Sequence, residues 1–200
     1  MFLLFLPDTM PMHYNFSGEV DRYGSKYENL IICGVNLIIG VFFIAAAHFM
    51  KAKTPSGVKA ILICGISLTA FFCILQTVIL AIGMKNAAGG PYLPSEDWFS
   101  KILAALMGLI LIILGNYMPK VERNSLFGLR TSWSMKNDEV WRRCQRFGGY
   151  SMIICGIIWI MLALFLSGMP LIAAAMGVLI ISLPVDIVAT YRISKNTSRT

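Results

Sequence analysis

Five long apolar runs, interrupted by a single charged residue, leave this chain few ways to fold. They are residues 30–50, 60–84, 102–118, 150–167 and 171–190. A hydrocarbon layer takes roughly 17 to 25 helical residues to cross, so each run is long enough or nearly so. Helix is the only economical form for them, because a lone strand would leave its backbone polar groups unpaired in lipid. Composition agrees: the 200 residues are 57% hydrophobic and 14% charged, with mean hydropathy +0.71. Soluble domains carry about a quarter charged residues. The expected fold is an all-α polytopic membrane bundle of five transmembrane helices. The last two, separated by Gly168, Met169 and Pro170, form a tight antiparallel hairpin.

The net charge of +7 is unevenly placed. Thirteen of the seventeen Lys and Arg lie on alternate connections: Lys51, Lys53 and Lys59, then seven between Lys120 and Arg146, then Arg192, Lys195 and Arg199. Arg22, Lys26, Lys85 and Lys101 make up the other set. The positive-inside rule then puts the N-terminus outside and the C-terminus in the cytoplasm. Basic charge of this kind sets topology and is no footprint of nucleic acid.

Most of the third-to-fourth connection is the stretch "NSLFGLRTSWSMKNDEVWRRCQRFGGY" (124–150), which holds five of the basic residues and two of the four Trp. Pro119 ends the third span, and Gly128 permits a turn that other residues resist. From Asn137, a good N-cap, the pattern becomes helical, with Asp138 and Glu139 suiting the first turn. Val140, Trp141, Cys144 and Phe147 share an arc of roughly 120°, with Arg142, Arg143, Gln145 and Arg146 opposite. A short cationic helix over 138–147, lying in the membrane interface, is the expectation. Gly148 and Gly149 would then turn the chain into the fourth span. The loop is either a docking platform or an anchor that sets the angle of that span.

Two segments resemble a known family. "LPDTMPMHYNFSGEVDRYGSK" (6–26) is similar to the extracytoplasmic segment that opens many SdpI-family proteins. Residues 124–149 resemble that family's central signature through Asn124, Gly128, Arg130, Trp133, Val140, Trp141, Arg146 and Gly149. There are departures: Ser132 stands where a proline often follows Arg-Thr, and Gln145-Arg146 where His-Arg is common. The resemblance divides the chain into 1–50 (extracytoplasmic segment and first full helix), 51–97 (second helix and loops) and an SdpI-type region, 98–200, with its signature loop at 119–149. It implies a multi-pass immunity protein of the bacterial cell membrane, protecting the cell from a membrane-active peptide toxin. It also implies, as in some members, signalling by holding a cytoplasmic transcriptional repressor at the membrane. The family commonly has six spans. "MFLLFLP", six residues before a proline and about 9 Å of helix, is either a short interfacial anchor or a truncated first span, and the span count favours the second.

Other polar residues are few. Asp186 is the one acid inside a span, a possible intramembrane polar site, though its place about 9 Å from Arg192 favours a snorkelling or paired carboxylate. Asn36, Gln76 and Asn116 suit hydrogen bonds between helices. The alternative function is a small transporter or channel subunit with Asp186, Asn36 and Gln76 lining one path. Four of the five cysteines sit in apolar runs and Cys144 is alone in the loop, with no metal-binding spacing. No metal or other cofactor is expected. No nucleophile with a base, paired carboxylates or phosphate loop can be assembled, so catalysis is not expected either.

Overall fold

The computed structural model describes residues 2–14, 20–50, 55–87, 97–124 and 128–197. Five helices carry the chain: α1 (Asn29–Met50), α2 (Pro55–Ala87), α3 (Asp97–Tyr117), α4 (Asp138–Phe165) and α5 (Gly168–Thr197). All five are long and apolar enough to cross a membrane. The expected bundle is therefore present. Parts of the connections at 51–59 and 85–100 lie outside the described residues.

The N-terminal segment adds a feature that the apolar runs do not reveal. Strands β1 (Thr9–Tyr14) and β2 (Val20–Ser25) pair antiparallel, with Thr9 opposite Ser25 and Tyr14 opposite Val20. The register shifts around His13. A capping box ends the hairpin, with Ser25 taking the Tyr27 N–H and Glu28 reaching back to the Ser25 N–H. Met10 is buried under α1, where the Asn29 amide meets its sulfur at 3.8 Å. The hairpin thus sits at the end where α1 begins. Residues 2–4 form one 3-10 turn.

The apolar surface on α1 and the outward faces of α4 and α5 is exposed, as lipid-facing helices require. The tightest packing is between α3 and α4, and glycine makes it possible. A side chain on Gly115 would meet the Gly149 carbonyl oxygen at 2.6 Å, and one on Gly108 would meet that of Gly156 at 2.7 Å. The two pairs are seven residues apart on each antiparallel helix. Two backbones approach this closely only where side chains are missing.

This arrangement corrects one expectation. There is no separate interfacial helix over 138–147: α4 runs unbroken from Asp138 to Phe165. Gly148 and Gly149 do not turn the chain; they are buried helical residues that admit Leu129 and Pro119 against the helix. The apolar face expected to lie in headgroups is covered by protein, with Val140, Trp141 and Cys144 essentially inaccessible.

Candidate functional site

Of residues 119–149, the described ones (119–124 and 128–149) lead from the end of α3 into α4, and buried polar side chains hold their backbone. A 3-10 turn over Met118–Lys120 carries Pro119. At the other end, Asn137 caps α4 by accepting the Val140 N–H at 2.8 Å. Arg123 ties these two ends together. It pairs with Asp138 at 3.0 Å and donates to the Met135 carbonyl at 2.8 Å. Trp141, 1% exposed, donates its indole N–H to the Val121 carbonyl at 2.8 Å. It is a brace between α4 and the start of the loop, and no membrane anchor.

Gln145 holds the middle of the loop. The helical pattern placed it on the charged face with Arg142 and Arg146; instead it is fully buried. Its carboxamide oxygen accepts the Leu129 N–H at 3.0 Å, and its nitrogen donates to the Leu129 carbonyl at 3.1 Å. A group that is donor and acceptor at one tip satisfies both backbone groups of a single residue. Gly128 precedes that residue at φ +110°, where a side chain is strained and would meet the Gln145 carboxamide. Ser134, also fully buried, donates to the Leu129 carbonyl at 2.8 Å and accepts the Thr131 N–H at 2.9 Å.

Trp133 docks the loop onto α5. Its indole N–H donates to Thr190 Oγ1 at 3.1 Å, and its ring meets Tyr191 edge-on, centroids 5.6 Å apart. Thr190 in turn donates to the Asp186 carbonyl at 2.7 Å. Two candidates that the sequence left separate, the signature loop and Asp186, therefore share one neighbourhood. Asp186 is buried, 8% exposed, so it does not snorkel. Its Oδ1 is buried and accepts no hydrogen bond, and no cation pairs with it among the described residues.

Arg130, Arg142 and Arg146 stay exposed around this frame, while Arg143 is taken by Glu139 at 2.6 Å. Asn124 is buried, with its amide on the Glu122 carbonyl at 2.9 Å. The described part of the loop is thus a hydrogen-bonded frame with a basic surface. Exposed guanidinium groups of this kind can bind an anionic or acceptor-rich group. Gln145, Ser134 and Thr190 were missed as site residues: all three are uncharged, Gln145 stood only as a departure from the family's His-Arg pair, and Thr190 lies outside the signature.

Among the described residues, the polar groups proposed for a transporter path fall between different helix pairs. Asn36 bonds the Thr69 carbonyl and Gln76 bonds Asn29, both across α1 and α2. Asp186 lies between α4 and α5. Asn116 is exposed and makes no such bond among the described residues.

Asp186→Asn tests the isolated carboxylate. An amide keeps the shape of the carboxylate and carries no charge, so membrane level and activity should both match the wild type. Loss of activity at an unchanged membrane level would make the carboxylate functional.

Residues 120–188 match the SdpI/YfhL protein family, and residues 1–38 match a domain of unknown function, DUF1648. The chain is 25% identical over 194 residues to "Immunity protein SdpI" of Bacillus subtilis (strain 168), covering 96% of this chain and 86% of that protein. No solved structure matches significantly.

Proposed function

Because this chain is a multi-pass bacterial membrane protein of the SdpI family, we propose that it confers immunity to a membrane-active peptide toxin. We infer further that its signature loop signals by docking a cytoplasmic repressor. The construction of residues 119–149 carries this reading. Buried Gln145, Ser134 and Trp141 fix the backbone, while Arg130 is left exposed on it. Ordering a loop in advance lowers the entropy lost on binding, which is what a docking surface needs. A structural brace alone would not need an exposed guanidinium that makes no ion pair among the described residues.

Survival tests the immunity reading. A sensitive strain carrying this gene should outlive the same strain without it when challenged with a panel of membrane-active peptides. Equal survival against every peptide contradicts the proposal.

The docking reading also needs the loop in the cytoplasm, as the charge bias predicts. In a variant cleared of native cysteines, an impermeant thiol reagent applied to intact cells should label Ser95→Cys and miss Ser125→Cys. The reverse pattern would put the loop on the wrong side for any repressor.

A further inference from the structure

We propose that the cleft between α1 and α2 binds the head of an uncharged, hydroxyl-bearing lipid of the diacylglycerol or glycosyl-diacylglycerol class. The cleft encloses about 200 Å³, with Ile32 and Phe72 on its apolar walls and Asn36, Gln76 and Thr77 as its polar groups. No described residue of the signature loop lines it. On α1 it runs from Ile32 to Asn36, about 6 Å along the helix.

The hydrogen bonds in the cleft are lopsided. Asn36 uses its amide nitrogen on the Thr69 carbonyl at 3.3 Å, with the Cys73 sulfur at 3.1 Å. Gln76 uses its nitrogen on Asn29 Oδ1 at 3.4 Å, and Thr77 donates its hydroxyl to the Cys73 carbonyl at 2.8 Å. Both N–H groups of Asn36, one of Gln76 and the Thr77 hydroxyl are spent within the protein. The acceptors are not: Asn36 Oδ1 and Gln76 Oε1 are buried and accept nothing, and Gln76 as a whole is 8% exposed. Buried acceptors at membrane depth are costly to leave unsatisfied. Two of them in one cleft call for a ligand that donates.

Charge narrows the class. Among the described residues no cationic or acidic side chain lines the cleft, so neither a phosphate nor an ammonium finds a counter-ion among them. In the neighbouring hairpin, Arg22 is paired with Glu28 and Lys26 with Asp8. A neutral O–H donor fits. Size narrows it further, because the space suits a glycerol or one sugar ring and is too small for a helix. The approach is lateral: Cys33 and Cys73 on the cleft are exposed on the helix surface. Acyl chains can therefore remain in hydrocarbon while the head reaches Asn36 and Gln76. The proposal is independent of the immunity reading.

The test adds dioleoylglycerol and dioleoylphosphatidylcholine in equal amounts to the intact purified protein and weighs the complexes by native mass spectrometry. Dioleoylglycerol should be retained about ten-fold over phosphatidylcholine, a difference large enough to read as selective binding. Asn36→Leu and Gln76→Met should each erase that preference while keeping the wild-type melting temperature. Equal retention of the two lipids by the wild type, or an unchanged preference in both variants, overturns the site. Should either variant fail to fold, a benzophenone side chain at Ile32 decides the question. On illumination it should gain the mass of dioleoylglycerol; equal adducts with both lipids would contradict the proposal.

Discussion

Gly149→Leu should leave almost no folded protein in the membrane, whereas Gly177→Leu should leave the wild-type amount. The difference lies in what each new side chain meets. At Gly149 the first added carbon falls 2.6 Å from the Gly115 carbonyl oxygen and 3.0 Å from Pro119, both rigid backbone or ring. At Gly177 nothing lies within 4 Å. Overpacking of an ordinary core costs about 1 to 3 kcal/mol. Here no flexible neighbour can yield, so α3 and α4 must separate, and the loop that joins them loses its seat with them. Abundance in isolated membranes, compared between the two variants, reads the effect. Equal abundance would mean that the α3–α4 contact is not the core of the bundle.

The bundle was legible because lipid imposes a rule that composition cannot hide: apolar runs of sufficient length, with backbone bonds closed within each helix. Pro119, Asn137 and Gly128 were legible for similar local reasons, as a stop, a cap and a turn, and all three act so in the structure. Residues 138–147 were misread because amphipathicity reports which face is apolar and says nothing of what covers it. Protein covers Trp141 and Cys144, not headgroups. The corrective signal was present. At 100° per residue Gln145 lies about 40° from Trp141, bordering the apolar arc rather than opposing it. Trp141, Gln145, Gly149 and Gly156 continue one stripe straight through Gly148 and Gly149, the mark of a packed face rather than a bend. The two-stranded hairpin escaped because Pro11 and Gly24 interrupt the alternation that marks a strand. The link from Trp133 through Thr190 to Asp186 spans 57 residues of sequence in its first step. No local pattern encodes a contact of that range.

The signature loop separates its framework from its exposed surface, and this separation is what the functional account depends on. Gln145→Leu removes both bonds to Leu129 and leaves its N–H without a partner, while Ser134 still holds its C=O; a lost partner of this kind costs about 1 to 3 kcal/mol. Stability and protection should then fall together. Arg130→Ala touches no such bond, and exposed substitutions away from such features usually stay within about 0.5 kcal/mol of neutral. The deciding measurement is membrane abundance against survival for Arg130→Ala, in a strain and with a peptide for which the wild type protects. Abundance should match the wild type while survival drops to that of cells lacking the gene. If abundance falls in step with survival, or survival does not change, Arg130 is no contact for a partner and the loop is only a brace.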